Sequence, residues 1–172
     1  MKTVFMFSGQ GAQYAGMGKD LYDNYAVAKE VFDRADEVLG YSIKDICFSD
    51  EEKLGLTEFT QPAILTMSIA AMKVMQENGI NADMTAGLSL GEYSALVASG
   101  AMKFEEAVAL VQKRGKFMAE AVPNGKGGMF AIIGLDTELV EKSCEEAVKE
   151  IGGVAVPANY NAPGQIVIGG DA

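Results

Sequence analysis

Histidine is absent from this chain, and with it the side chain that most often serves as a catalytic base near neutral pH. Any nucleophile here must do without that partner from its own sequence. Cysteine is scarce as well. Cys47 and Cys144 lie far apart, without the close spacing of a metal site, and read as reduced thiols, buried or half-buried, of a cytoplasmic protein. Basic residues are in the minority, 14 against 24 acidic, for a net charge of −10. That balance excludes a nucleic-acid or anionic-membrane surface. No apolar run approaches membrane-spanning length. The opening Met1-Lys2-Thr3-Val4-Phe5-Met6-Phe7 is too short for a signal peptide and lacks a cleavage site. No metal or redox cofactor is implied.

What is present is a globular composition, 49% hydrophobic over 172 residues, enough to bury a core. The stretch Gly87-Leu88-Ser89-Leu90-Gly91 is Gly-x-Ser-x-Gly, the pattern of a nucleophile elbow. There the serine occupies a strained strand-to-helix turn, and side chains two residues to either side would collide. Its context fits. An apolar run with helical spacing over 62–79 comes first, then a short strand at 83–86, and a helix over 92–98 closed by Ser99-Gly100.

Elsewhere, Thr3 to Phe7 reads as a buried strand of a parallel sheet. The loop after it fails as a dinucleotide fingerprint, because Tyr14 stands where the third glycine would be. It fails as a phosphate loop too, with Gln13 and Asp20 at required positions. Helices are expected over 17–24, 26–39 and 104–121, with a short helix or turn over 43–48 and a solvated loop over 49–53. Thr60 is a plausible cap for the helix containing Pro62. The apolar face of the helix starting at Phe104 comprises Ala107, Val108, Val111, Gly115, Met118 and Val122. Pro123 to Gly128 is the clearest boundary. Beyond it the pattern is strand over 129–135, helix over 137–150 capped by Asp136 or Thr137, then strands over 154–159 and 165–168. That is the first two-thirds of a ferredoxin-like unit.

Five ordered segments carry a resemblance. They are Phe7 to Gln13, Thr60 to Ala63, Gly87 to Leu96, Gln112 to Gly115, and Asn159 to Gln165. With them the chain resembles the malonyl-CoA:acyl carrier protein transacylase family of bacterial fatty acid synthesis, to which polyketide synthase acyltransferase domains also belong. Leu88 departs from the histidine usual there. The resemblance implies an α/β fold, a hydrolase-like parallel sheet flanked by helices with a nucleophile elbow, plus an incomplete ferredoxin-like small subdomain. Residues 1–126 would form the large subdomain and 127–172 the truncated small one.

It further implies Ser89 as nucleophile, with the main-chain N–H groups of Gln10 and Leu90 as oxyanion hole. Arg114 would clamp a free substrate carboxylate, for which a guanidinium fork is suited; an arginine on a helix otherwise reads as a solvated charge. Gln61 would lie near the acyl pocket, in a role more structural than catalytic. Asn159, Asn161 and Gln165 would line a cleft between subdomains, or else tie down a turn. Malonyl-CoA is the implied substrate and acyl carrier protein the implied partner, with no tightly bound cofactor. The family's histidine lies beyond Ala172, so this chain reads as an N-terminal fragment, inactive or nearly so alone and inclined to pair with itself or the missing half. A serine hydrolase or thioesterase, and a non-catalytic acyl-CoA-binding pseudoenzyme or half of a split enzyme, are the alternatives.

Overall fold

The computed structural model describes residues 2–122 and 125–171. The chain falls into two compact units, one ending at Ala119 and the other beginning at Glu120. Pro123 and Asn124, part of the expected boundary loop, lie outside the described residues.

The first unit carries β1 (Val4–Phe7), α1 (Lys19–Asn24), α2 (Ala26–Leu39), α3 (Ile43–Ser49), α4 (Glu51–Leu54), α5 (Thr57–Glu77), β2 (Met84–Gly87), α6 (Gly91–Ala98) and most of α7 (Phe104–Ala121). β1 and β2 pair in parallel, from Val4 opposite Met84 to Phe7 opposite Gly87. The α/β class expected from the sequence is what forms. α2 has the expected limits. Its buried stripe is Ala28, Val31, Phe32, Ala35 and Leu39, at helical spacing, and it packs on α5. Leu65, Ile69, Val108 and Val111 join Phe32 in one apolar core. Cys47 is buried within it. Burial, with the Asp36 carboxylate adding to it, pushes the Cys47 thiol up to about 12. Cys47 and Cys144 are both free and buried.

Four local expectations are corrected. α5 begins at Thr57, not near Pro62, and Thr60 is no cap. Its hydroxyl donates to the Leu54 and Leu56 carbonyls instead, at 2.6 and 2.9 Å, within the first turn. Pro62 therefore sits inside the helix, one turn past the start, where its missing N–H forgoes one bond. Residues 51–54 are a helical turn rather than a loop, because the Asp50 carboxylate accepts from the Lys53 N–H at 3.0 Å. Strand β1 is not buried on both faces, since Met6 is 81% exposed while Phe5 is buried. On α7 only Ala107, Val108, Val111 and Gly115 are buried. Met118 is exposed, and so is Val122, beyond the helix end.

The second unit contains β3 (Gly127–Ile133), α8 (Thr137–Ile151), β4 (Ala155–Ala162) and β5 (Gln165–Asp171). The sheet order is β3-β5-β4 with both neighbouring pairs antiparallel. β3 and β4 therefore run in the same direction with β5 between them. α8 lies against β4 and β5 and buries Val140 and Cys144, while Ile166 is buried from the sheet. Asp136 occupies the N-cap of α8 without a side-chain bond. Among the described residues, no helix is long and apolar enough to cross a membrane, and no group of three or more His, Cys, Asp or Glu could hold a metal ion.

Candidate active site

Ser89 stands in the turn from β2 to α6 with φ of 52°, the one non-glycine residue at positive φ among those described. Such backbone is costly for a side chain larger than hydrogen, so the surrounding structure must hold it there. Two close approaches do so. A Cβ on Gly87 would fall 2.1 Å from the Gly91 carbonyl group, and one on Gly91 would fall 2.2 Å from the Phe7 oxygen. Both glycines are required by sterics. The Leu88 N–H donates to the Phe7 carbonyl at 3.1 Å, tying the turn to the end of β1. Leu90 is buried beneath it, and Leu88, in the position beside the serine, is 62% exposed.

The loop after β1 reaches the same turn. Gly9 is packed so tightly on the Leu88 carbonyl oxygen that a Cβ would stand 2.9 Å away. Gln10 follows, and its side chain is fixed from two directions. Its Nε2 donates to Thr57 Oγ1 at 3.1 Å, and its Oε1 accepts from Gln61 Nε2 at 3.5 Å. Gln61 is fully buried, donates also to Met118 Sδ at 3.2 Å, and keeps its Oε1 without a protein partner. An unpaired buried amide oxygen costs free energy, so this atom is an acceptor in reserve.

Arg114 comes from α7. At the next residue, Gly115, a Cβ would meet the Thr57 carbonyl oxygen at 2.6 Å, so α7 lies directly on the first turn of α5. From there the guanidinium reaches across, and its Nη2 donates to Ser89 Oγ at 3.2 Å. Its Cζ lies 5.8 Å from the centroid of the Tyr93 ring. A cation held beside a hydroxyl favours the oxyanion form of that hydroxyl, and it leaves the O–H free to donate to a base.

Ser89, Gln10, Leu90, Gln61 and Arg114, all singled out in the sequence, are thus brought into one neighbourhood of the first unit. Asn159, Asn161 and Gln165 lie in the second unit, where all three are exposed. Asn159 and Gln165 are paired in the sheet, opposite Val167 and Ala162. Asn161 falls at a register shift between Tyr160 and Ala162. Thr57, Tyr93 and Met118 were missed as members of the first neighbourhood. None of the three carries a periodic signal that singles it out for this site.

The first unit is thus an α/β unit with a serine raised on a glycine-flanked turn and an arginine set against its hydroxyl. Residues 4–172 match the family described as acyl transferase domain, and the chain belongs to that family. Within it, the chain is 52% identical over 172 residues to the malonyl CoA-acyl carrier protein transacylase of Bacillus subtilis (strain 168), covering 99% of this chain and 54% of that protein. The crystal structure of MCAT from Streptococcus pneumoniae matches with a TM-score of 0.89 at 54% identity, over 99% of this chain and 55% of that one. A type II PKS acyl-carrier protein in complex with its malonyl-transacylase matches through one chain with a TM-score of 0.90 at 44% identity, over 99% of this chain and 55% of that one. The chain spans about half the length of the curated relatives it matches.

Proposed function

We propose that this chain carries the acyl-binding part of a malonyl-CoA:acyl carrier protein transacylase, with Ser89 as nucleophile on a nucleophile elbow. The observation that carries this reading is the 3.2 Å approach of the Arg114 guanidinium to Ser89 Oγ. A cation at that distance suits an acyl group ending in a carboxylate, whereas a neutral acyl group has no use for it. The guanidinium binds that carboxylate in a bidentate fork and holds the thioester carbonyl over the hydroxyl.

The chemistry is two exchanges. Ser89 Oγ attacks the thioester carbon and gives its proton to a base, the C–S bond breaks, and the CoA thiol leaves carrying a proton. The malonyl-serine ester is then attacked by the phosphopantetheine thiol of acyl carrier protein, releasing Ser89. Charge on the carbonyl oxygen in both tetrahedral states is met by the main-chain N–H groups of Gln10 and Leu90. Tight packing of Gly9 on Leu88 and the bracing of Gln10 by Thr57 and Gln61 support that pairing. The buried, unpartnered Gln61 Oε1 supports its place beside the acyl group. The base is not a histidine of this chain, which has none, and we assign it to a further segment or a second polypeptide.

We keep 1–126 as the large subdomain and 127–172 as a small ferredoxin-like one, for which the β3-β5-β4 order is the support; Asn159, Asn161 and Gln165 are either its substrate-binding residues or side chains that tie down a turn. No tightly bound cofactor is required, and a cytoplasmic setting suits two free thiols. The exposed Met6 and Met84 on a sheet of two strands support pairing with a further segment or a second copy.

Incubation of the chain, together with a C-terminal segment from a relative, with malonyl-CoA, followed by intact-protein mass spectrometry, tests the reading. The expected product is a malonyl adduct on Ser89, absent in Ser89→Ala and reduced at least tenfold in Arg114→Ala. An adduct indifferent to Arg114, or one that forms equally from acetyl-CoA, would remove Arg114 as the carboxylate clamp, and hydrolysis of the adduct outpacing its transfer to a carrier-protein thiol would return the site to the hydrolase class.

A further inference from the structure

The Arg114 guanidinium has two neighbours of different kinds. One is Ser89 Oγ, which accepts a single hydrogen bond. The other is the Tyr93 ring, 5.8 Å from Cζ to centroid, within the range of a cation–π contact. Tyr93 is half-buried and packs against the core of the first unit. Its backbone N–H closes the first turn of α6 onto the Leu90 carbonyl at 3.2 Å. The ring is therefore anchored at its base, on the same short helix that follows the serine.

Arg114 itself has fewer constraints. It projects from α7 on a long side chain that loses considerable rotamer entropy when fixed. No carboxylate of the described residues forms a salt bridge with it. An aspartate or glutamate in the place of Tyr93 would orient the guanidinium more strongly, but would also neutralise it and compete with the substrate carboxylate. An aromatic face attracts the cation while leaving every N–H donor of the fork available. For a residue that must remain ready to bind an incoming anion, that is the suitable kind of support.

We propose that Tyr93 is a positioning residue for substrate selection, holding the Arg114 guanidinium over Ser89 so that acyl groups bearing a carboxylate are preferred. This rests on the reading of Arg114 given above. The ring acts through its face, and the phenolic hydroxyl has no part in it.

The test is the ratio of kcat/KM for malonyl-CoA to that for acetyl-CoA, measured in the full-length protein. Tyr93→Leu and Tyr93→Met should each lower the ratio about two- to fivefold, the range of an accessible cation–π contact, with the loss appearing mainly in KM for malonyl-CoA. Tyr93→Phe should keep the wild-type ratio. Adding Tyr93→Leu to Arg114→Ala should change the ratio no further, because the cation is already gone. The methionine variant retains an apolar side chain against the core and serves if the leucine variant does not fold. An equal loss for both substrates would make Tyr93 a packing residue and overturn the proposal. So would an unchanged ratio in a protein whose Arg114→Ala variant has lost its preference. If Arg114→Ala itself leaves the ratio untouched, the assignment of Arg114 falls, and the role of Tyr93 falls with it.

Discussion

At the scale of single residues, the serine turn is held by absences of side chain as much as by contacts. Gly91 lets α6 start against the end of β1. The Phe7 carbonyl carbon would lie only 2.7 Å from an added Cβ, and the Ser8 oxygen 2.9 Å. These are backbone atoms at the end of β1 and just beyond it, and they cannot swing aside as a flexible side chain would. Gly91→Ala should therefore displace the turn from β1 and cost about 3 kcal/mol or more, at the upper end of overpacking effects. Gly79 offers the comparison. It follows the end of α5, its φ is +79° and no atom lies within 4 Å of its would-be Cβ. Gly79→Ala pays only for backbone conformation, about 1 kcal/mol. Urea midpoints of the two variants should fall in that order, with Gly91→Ala the lower. The reverse order would mean that the turn yields easily and that Ser89 is not held in its unusual conformation by these contacts.

At the scale of elements, the approach of α7 to α5 sets where the guanidinium can reach. Gly115 is the contact point, with the Thr57 oxygen 2.6 Å and the Glu58 Cα 2.9 Å from an added Cβ. Gly115→Ala should push the helices apart and destabilise by about 1–3 kcal/mol. Because Arg114 is the adjacent residue, the rate of malonyl-Ser89 formation should fall by more than the loss of folded protein explains. Thermal melts and mass-spectrometric acylation rates on the same samples separate the two effects. A rate that follows only the folded fraction would remove the helix contact from the site. This contact also marks where sequence reading reached and where it stopped. The helical period of Ala28, Val31, Phe32, Ala35 and Leu39, closed by Gly40, makes α2 legible to the residue, because an amphipathic stripe encodes its own limits. The paired glycines around Ser89 were legible for a similar reason, since their spacing reflects a local steric need. The start of α5 was not. Thr60 looks like a cap, but its hydroxyl bonds backwards to Leu54 and Leu56, a choice made by the chain before it. The bracing of Gln10 by Thr57 and Gln61, 47 and 51 residues away, leaves no periodic trace. Neither does the ring of Tyr93 beneath an arginine from another helix.

At the scale of the whole molecule, the parallel sheet of the first unit is the feature least able to stand by itself. Among the described residues its two strands pair only with each other, and two-stranded sheets are marginal without further cover. Val4, Met6 and Met84 are exposed on them. Beside β1 a groove of about 320 Å³ opens towards α5, lined by Met6, Met67, Met72 and Met75 among others. Unpaired N–H and C=O groups next to exposed apolar side chains form a template for another strand. A net charge of −10 opposes contact between copies, but salt screens that repulsion within about 10 Å at 0.1 M ionic strength, whereas burial of apolar area is not weakened by salt. The chain by itself should therefore self-associate, and more strongly as salt is raised. Met6→Lys, which puts a charge on the exposed strand face, should return it towards the monomer. Light scattering across protein and salt concentrations distinguishes the outcomes. Association that falls with salt would assign it to charge, and a Met6→Lys variant that associates as strongly as the parent would place the contact elsewhere. If both expectations hold, strand pairing completes the sheet on which the serine turn stands. Supplying a C-terminal segment from a relative should then suppress self-association and raise the rate of Ser89 malonylation together.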